Sequence, residues 1–188
     1  MDAMLPTPHV VLGPFYPVRP PSDAGADLVG RDPSAASAHG QPIEIRGRVL
    51  TVAGRPIAGA LVEIWHADAR GRYLHPSDAS DTPPDPDFRG YGVQRTDHAG
   101  RYRFRTVKPG AYHDGHEMRA PHVHFQITAP RDRLVTQLFF ENEPLHHADR
   151  WFRNCRWPRS LEAPLQPAGA DAPGVAFTVT WDIVLACA

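Results

Sequence analysis

Proline and glycine set the main constraint on how this chain can fold. The 188 residues include 21 prolines and 15 glycines, spread over the whole length. Proline removes a backbone donor and breaks helices, and both residue types are typical of turns. No long stretch carries apolar residues with the i, i+3, i+4, i+7 spacing of an amphipathic helix. The sequence therefore argues against a helical protein.

Short segments with alternating apolar and polar residues take the place of helices. In residues 101–107 (RYRFRTV) we expect Tyr102, Phe104 and Thr106 to face a core and the neighbouring arginines to face water. Several such segments, separated by Gly, Pro and Asp turns, predict an all-β fold: an antiparallel β-sandwich with long functional loops and little helix. The predicted strands lie at 43–52, 58–67, 100–107, 122–128, 134–140 and 175–186.

Chain length and the irregular segments define the expected domain organisation. A chain of 188 residues forms one well-cored domain. We expect residues 1–40 to form an N-terminal segment packed on a single β-sandwich domain of residues 41–188. Loops longer than about 12–15 residues are usually functional or disordered. Within the domain such segments are predicted at 69–92, 108–120 and 141–173, and the sequence assigns no role to the last one.

Charge and hydropathy exclude several classes of partner. The 20 Lys and Arg and 21 Asp and Glu residues give a net charge of −1 and are scattered along the chain, so we expect no nucleic acid partner. No apolar run reaches the roughly 20 residues of a membrane span. The N-terminal residues lack the regions of a signal peptide, and the two cysteines lack CxxC spacing. These features predict a cytoplasmic protein with no membrane partner.

The segment MRAPHVHF, residues 118–125, contains two histidines one residue apart. In an extended strand His122 and His124 share one face, while Val123 and Phe125 take the other. Two ring nitrogens could then converge on one metal ion. A half-buried strand with hydrogen-bonded histidines explains the spacing equally well. The pair by itself therefore leaves both interpretations open.

Further motifs occur in a fixed order along the chain. GPFY lies near the start, GRPIAGALVEIWHADARGRY contains the second predicted strand, and TDHAGRYRFRTVKPGAY and RAPHVHF follow. This ordered set covers roughly residues 11–140 and resembles the intradiol ring-cleavage dioxygenases, with most likeness to protocatechuate 3,4-dioxygenases. Members of this family use O2 to cleave an aromatic 1,2-diol between its two hydroxyl-bearing carbons, giving a cis,cis-muconate.

The resemblance implies a ferric site. Carried over residue by residue, the family's ligands correspond to Tyr73, Tyr112, His122 and His124. Fe(III) is a hard ion that binds phenolate oxygen well, and two neutral imidazoles complete its shell. Because the unperturbed pKa of tyrosine is about 10, the metal must drive the ionisation of both phenols. Fe(III) is therefore the expected cofactor, with an aromatic 1,2-diol and O2 as substrates.

The resemblance also implies catalytic roles. Tyr112 corresponds to the tyrosinate that leaves the metal when the diol binds and then accepts a proton. Arg119 corresponds to an arginine that stabilises charge on the substrate ring, a role suited to a permanently charged guanidinium. Gln137 corresponds to a residue that helps to hold that arginine, although an ordinary strand position explains Gln137 as well.

We expect the substituent on the substrate ring to lie between two segments of the chain. Gly13, Pro14 and Tyr16 belong to the N-terminal motif that borders the substrate in the family. Arg131 and Arg133 precede the strand 134–140, where one of them could form a charge-assisted hydrogen bond with a ring carboxylate; a solvated turn is the alternative explanation. We therefore expect a protocatechuate-type substrate and a homo-oligomeric enzyme, with catechol or hydroxyquinol as alternative substrates.

Two other classes of protein stay open. HxH with a carboxylate, Glu141 or Asp114, would form a Zn or Fe(II) site in a cupin-like barrel. A non-catalytic β-sandwich subunit is the second alternative, although all four ligand positions are filled here. Within the resemblance itself, residues 110–114 read GAYHD where the family often has GPYPW, which puts the choice of substrate in doubt.

Overall fold

A computed structural model of the chain describes residues 3–30 and 38–186. In these ranges the helices are short: α1 (Arg150–Arg153) and two 3-10 turns, Pro144–His147 and Pro158–Leu161. None of these described helices is long and apolar enough to cross a bilayer. The strands are β1 (Pro42–Thr51), β2 (Leu61–Trp65), β3 (Tyr91–Arg95), β4 (Arg101–Val107), β5 (Tyr112–His113), β6 (Met118–Arg119), β7 (His122–Ala129), β8 (Asp132–Phe140), β9 (Glu162–Ala163), β10 (Gln166–Pro167), β11 (Phe177–Thr180) and β12 (Ile183–Leu185).

Two five-stranded sheets form the body of the described chain. In the first sheet, β1 pairs antiparallel with β4 and parallel with β11 and β12, and β10 pairs with β11. In the second sheet the order is β3-β2-β7-β8-β9, antiparallel except for the β8–β9 pair. The short strands β5 and β6 pair with each other.

Alternation along the strands buries one face of each sheet in a shared core. Ile45 of the first sheet and Ile64 of the second are fully buried. The ring of Phe125, on β7, lies 5.9 Å from that of Tyr102 and 5.3 Å from that of Trp181. Burying a side chain of this size contributes about 1.5–3 kcal/mol. The predicted all-β sandwich is confirmed.

The strand pairing differs from the prediction because it is mixed rather than antiparallel throughout. Two strands pair in parallel only when a long crossover connection joins them. Residues 141–161 form that connection between β8 and β9, and most of the chain lies between β1 and its parallel partners β11 and β12. The single strand predicted at 175–186 is also two strands, β11 and β12. They are separated by Trp181 and Asp182, and a carboxylate oxygen of Asp182 accepts a hydrogen bond from the backbone N–H of Arg48.

The N-terminal segment runs along the outside of both sheets. The backbone N–H of Thr7 donates to the carbonyl of Val184 at 2.9 Å, and that of Val10 donates to the carbonyl of Val135 at 2.9 Å. Further along, Leu28 is fully buried in the core. These contacts bring residues 11–16 over the outer face of the second sheet.

Candidate active site

The two histidines lie on the outer face of the second sheet. Phe125 of β7 enters the sandwich core, so the alternating residues His122 and His124 point the other way. In the strand register His124 lies opposite Trp65 on β2 and Gln137 on β8. The histidine pair therefore projects from a strand that is held on both sides.

The two imidazoles converge through their Nε2 atoms, which are 3.1 Å apart. His122 Nδ1 lies 2.7 Å from the carbonyl of Ala120, so Nδ1 donates its proton there and Nε2 keeps a free lone pair. Burial, and then the nearby Arg119 guanidinium, hold the pKa of both His122 and His124 well below its usual range. A neutral pair that meets at one point suits metal ligation.

Two tyrosines from separate segments complete the cluster. The rings of Tyr73, on the loop after β2, and Tyr112, on β5, are 5.1 Å apart. Tyr73 lies 6.3 Å from the ring of His124, and Tyr112 lies 5.7 Å from the ring of His122. The structure thus brings together all four residues that the resemblance gives as ligands.

The loop that carries Tyr73 is anchored by one carboxylate. Asp78 accepts a hydrogen bond from the backbone N–H of Tyr73 at 2.7 Å and another from Arg72 Nη1 at 2.5 Å. Because both donors belong to adjacent residues, the carboxylate fixes the direction in which the Tyr73 side chain leaves the loop.

The hydroxyl of Tyr73 tests whether the cluster fits a ferric ion. The side chain is 2% exposed, and its hydroxyl interacts with that of Tyr112 without forming a hydrogen bond of standard geometry within the described residues. Burial raises the pKa of Tyr73 well above its usual value and also raises that of Tyr112, so both phenols stay protonated without a cation. Two phenols and two neutral imidazoles are a donor set that fits Fe(III).

Arg119, at the end of β6, contacts three parts of the site. Its Nη2 donates to Gln137 Oε1 at 3.0 Å, and its Nη1 lies 3.4 Å from the Tyr112 hydroxyl. Its Nε donates to Asp149 Oδ2 at 2.8 Å. The structure therefore places Arg119 and Gln137 in contact beside the tyrosine, and adds a carboxylate that the sequence motifs do not contain.

Asp149 is the contact of Arg119 that sequence reasoning missed. It lies in the 141–173 segment and caps α1, because its side chain accepts from the backbone N–H groups of Trp151 and Phe152. Aspartate before a helical turn is a recognisable N-cap signal. That signal predicts the start of a helix but gives no information about a partner 30 residues earlier in the chain.

The N-terminal motif GPFY lies on the cluster. Gly13 has a φ of +74°, and a Cβ at this position would lie 3.0 Å from His124 Cε1. Glycine tolerates this backbone conformation, and it leaves room for the imidazole. The ring of Phe15 lies 4.4 Å from that of Tyr73. Pro14, which separates Gly13 from Phe15 in the chain, is exposed. Gly13 and Phe15 therefore close one side of the site.

Tyr16 has its hydroxyl turned to a protein acceptor. It donates to Glu63 Oε1 at 2.8 Å, and the hydroxyl of Tyr91 donates to the same oxygen at 2.7 Å. The other Glu63 oxygen accepts from Gln126 Nε2 at 2.6 Å. The ring of Tyr16 packs edge-on against Trp65 with the centroids 5.0 Å apart. Tyr16 thus supports the wall behind the histidines, a contact that the motif did not predict.

Arg131 and Arg133 lie at different distances from the cluster. Arg131 is in the turn of the β7–β8 hairpin, at the opposite end from the histidines. At about 3.3 Å per residue, it lies roughly 20 Å from His124 along the strand. Arg133 is on β8, and its guanidinium donates to Gln126 Oε1 at 2.5 Å, two residues from His124 on β7. The hairpin therefore holds Arg131 away from the site, whereas the Arg133 guanidinium extends back toward it.

A cavity of ≈ 490 Å³ opens beside the cluster. Phe15, Tyr112 and His113 line it, together with Arg70 and Met118. The volume is in the range of about 300–1,000 Å³ that is typical of small-molecule sites. A groove of ≈ 470 Å³ over β1 and β4 lies on the first sheet and does not reach the cluster.

The structure does not form the alternative site of histidines with a carboxylate. Within residues 3–30 and 38–186, no group of three His, Cys, Asp or Glu side chains could hold a metal ion. Asp114 instead accepts hydrogen bonds from the backbone N–H groups of His116 and Glu117, and Glu141 is exposed. The oxygen donors next to the histidines are phenols.

Comparisons with known proteins identify the family of the chain. A family model described as dioxygenase matches residues 11–187. The chain is 39% identical to the protocatechuate 3,4-dioxygenase beta chain of Burkholderia cepacia over 158 residues, which cover 80% of this chain and 67% of that protein. It is 36% identical to the 6-chlorohydroxyquinol 1,2-dioxygenase of Cupriavidus pinatubonensis, covering 78% of this chain and 55% of that protein.

A solved structure shows the same fold at nearly full length. The dioxygenase domain of a dioxygenase and carbohydrate-binding protein fusion from Streptomyces sp. SirexAA-E superimposes with a TM-score of 0.73 at 30% identity, covering 97% of this chain and 99% of that chain. The chain spans only about half the length of the catechol 1,2-dioxygenases that it matches. On the family match and the relatives together, the chain belongs to the intradiol ring-cleaving dioxygenases, a family of oxidoreductases.

Proposed function

We propose that this protein is a non-haem Fe(III) intradiol dioxygenase that cleaves a catecholic ring between its two hydroxyl-bearing carbons with O2 to give a cis,cis-muconate. The observation that carries the proposal is the convergence of two buried histidines and two tyrosines in one cluster. Tyr73, Tyr112, His122 and His124 would hold the ion. When bound, Fe(III) supplies a Lewis-acidic centre that chelates the diol and makes its ring reactive toward O2.

Tyr112 is the residue proposed to move a proton. Burial raises the pKa of Tyr112, so its phenolate would readily accept a proton from the incoming diol at its hydroxyl oxygen. Arg119 Nη1 lies 3.4 Å from that oxygen and can donate to it. The two residues therefore form a place where one substrate proton is held after the diol has bound.

Arg119 is proposed to stabilise negative charge on the substrate ring. Its side chain is 4% exposed, and Asp149 and Gln137 hold two edges of its guanidinium. A fixed cation in a dry site stabilises developing charge more than a solvated one does, because no solvent has to reorganise. The ring of Phe15 packs against both tyrosines of the same region, 4.4 Å from that of Tyr73 and 6.1 Å from that of Tyr112.

We propose that the substrate is of the protocatechuate type, with a carboxylate as its ring substituent. A protocatechuate 3,4-dioxygenase beta chain is among the relatives, which supports this choice, while a 6-chlorohydroxyquinol and a catechol 1,2-dioxygenase support the alternatives. Because Arg131 lies in the turn of the β7–β8 hairpin, we propose that it meets a carboxylate in a neighbouring copy of the chain, whereas Arg133 lies on β8 and contacts Gln126, on the same strand as the histidines. This geometry supports a homo-oligomer in which the hairpin of one subunit reaches the site of the next.

One set of assays tests the function and the substrate together. Oxygen uptake by iron-loaded protein is measured with protocatechuate, catechol, hydroxyquinol and substituted catechols, and the products are identified by mass spectrometry. We expect a muconate that contains both atoms of the consumed O2 in addition to the two oxygens of the diol, and the largest kcat/KM for protocatechuate. Cleavage beside the diol, or no uptake with any diol, contradicts the proposal. The variants Arg131→Ala and Arg133→Ala test whether the hairpin contributes to substrate binding and assembly. Their activity is measured with the same diols, and light scattering measures their assembly.

We also propose that the enzyme works in the reducing cytoplasm. Cys155 is a free, half-buried thiol in the described part of the chain, whereas Cys187 lies outside the described residues. Free thiols are usual in reducing compartments. Cell fractionation followed by immunodetection tests the location, and recovery in an oxidising compartment contradicts it.

A further inference from the structure

Asp149 connects the guanidinium of Arg119 to the helix that follows β8. Its Oδ2 accepts from Arg119 Nε at 2.8 Å and from the backbone N–H of Ala120 at 3.1 Å. Its Oδ1 accepts from the backbone N–H groups of Trp151 and Phe152 at 3.0 and 3.1 Å. The carboxylate is completely buried. Both of its oxygens are thus occupied, each by two donors.

The geometry of Arg119 depends on this carboxylate. A guanidinium is planar and its N–H groups leave in fixed directions. Nε is held by Asp149 and Nη2 by Gln137, so the direction of Nη1 toward Tyr112 is determined by the other two contacts. Gln137 is neutral, so Asp149 is the contact that also balances the buried positive charge.

We infer that Asp149 is a positioning residue of the dioxygenase reaction: it holds Arg119 at the distance from Tyr112 and the substrate ring at which the guanidinium acts. This inference rests on the proposed function. It gives the 141–173 segment a role, because the cap of α1 and the anchor of Arg119 are the same carboxylate. Without the anchor, the free acceptors for the guanidinium are Gln137 and Tyr112, and we expect it to turn toward them.

Asp149→Asn separates the two tasks of this side chain. Asparagine is as good an N-cap as aspartate, so its carbonyl oxygen can keep the contacts with Trp151 and Phe152. Its amide nitrogen is a donor and cannot accept from Arg119 Nε. Asp85→Asn is the matched control, since Asp85 is also buried and accepts backbone N–H bonds from His39 and Asp87 but does not contact Arg119.

Three measurements test the inference. For Asp149→Asn we expect kcat to fall by about 10–100-fold, as for other supporting contacts of metal sites, with KM nearly unchanged and iron content equal to wild type. A crystal structure of the variant should show Arg119 Nη1 displaced from its position beside the Tyr112 hydroxyl. In an Arg119→Met background, adding Asp149→Asn should change kcat by less than about twofold, because the two residues act as one unit. In all three measurements the control variant Asp85→Asn should behave like wild type.

Two results would overturn the inference. One is a reduced kcat in Asp149→Asn while Arg119 keeps its wild-type position. The other is a loss of kcat on adding Asp149→Asn that is equally large in the wild-type and Arg119→Met backgrounds. The Arg119→Met/Asp149→Asn pair replaces both members of the buried ion pair, so a fold can be obtained even where the single variant fails. A wild-type protein that cleaves no diol refutes the proposed function instead. In that case the crystal structures still decide whether Asp149 sets the position of Arg119.

Discussion

The indole of Trp65 lies parallel to the imidazole of His124, with the ring centroids 4.9 Å apart and the planes 10° apart. Trp65 is fully buried, and Tyr16 packs edge-on against the same indole. The stack restricts rotation of the His124 ring, so the direction in which its Nε2 atom points is set by packing. A ligand that is oriented in advance loses less entropy when the metal binds.

Trp65→Leu should therefore weaken iron binding. We expect iron affinity to fall by about tenfold, the lower end of the range for supporting contacts of metal ligands, seen as faster iron transfer to a chelator. Trp181→Leu is the control, because Trp181 is a buried tryptophan of the sandwich core. Equal rates of iron loss in the two variants would show that general destabilisation is the cause.

His122→Ala and His124→Ala should each yield protein with little iron. Losing one of four protein ligands leaves an incomplete shell, and metal analysis after gel filtration measures the loss. His66→Gln provides the comparison, since His66 is equally buried but bonds to Thr106 Oγ1 and the carbonyl of Ala67 instead of facing the pair. Full iron content in either alanine variant would contradict the ligand assignment.

Tyr112→Phe and Tyr73→Phe should differ in what they lose. Tyr112 is proposed to leave the metal and accept a proton, so its phenylalanine variant should keep much of the iron but lose about 100-fold or more in kcat, the usual scale of a lost proton acceptor. Tyr73→Phe should lose iron. Visible absorbance from tyrosinate-to-Fe(III) charge transfer, read with metal content, separates the two. Wild-type turnover by Tyr112→Phe would refute its role.

Arg119→Lys should bind the diol but turn it over slowly. A lysine ammonium is a point charge on a flexible stem and cannot satisfy Asp149, Gln137 and Tyr112 at once. We expect kcat to fall by about 10²-fold, as for removal of other fixed charge-stabilising donors, with a small change in KM. If binding weakens by the same factor as turnover, Arg119 anchors the substrate and does not stabilise charge on its ring.

His66 should make the protein less stable in acid. Burial lowers its pKa to about 4, although the carbonyl of Ala67 and the carboxylate of Asp68 act in the opposite direction. Below the unfolded pKa of about 6.5, the unfolded chain binds a proton that the folded chain refuses, so the free energy of unfolding falls until the pH reaches the folded value. The total contribution is about 3 kcal/mol. Urea titrations of wild type and His66→Gln from pH 7 to 4 should show the steeper decline in wild type; parallel curves would exclude this origin.

The residues that could be predicted from the sequence are those with a local pattern. The alternation of RYRFRTV predicts Tyr102 and Phe104 in the core, and both are buried. The HxH spacing predicts two imidazoles on one face, and the resemblance names the two tyrosines that join them. In each case the relevant information lies within a few residues of the chain.

The residues that could not be predicted depend on pairing between distant segments. Trp65 meets His124 because β2 and β7 pair in one register out of several that the alternation allows. Asp149 reaches Arg119 only because the 3-10 turn and α1 fold back over β6 and β7. The hairpin turn that carries Arg131 away from the site likewise depends on where β7 ends. Local patterns do not determine these distances.

The N-terminal segment that covers the second sheet also determines when the site can form during synthesis. Gly13 lies against His124, and the anchor of Arg119 is Asp149, so the cluster joins residues from the beginning of the chain to well past its middle. Residues 11–16 are synthesised before the other parts of the site, yet they gain a surface to pack on only after β7 and β8 have paired. A nascent chain that ends before β7 carries both tyrosines but neither histidine. The proposed iron site can therefore be completed only after β7 has been synthesised and its histidines have packed against both tyrosines.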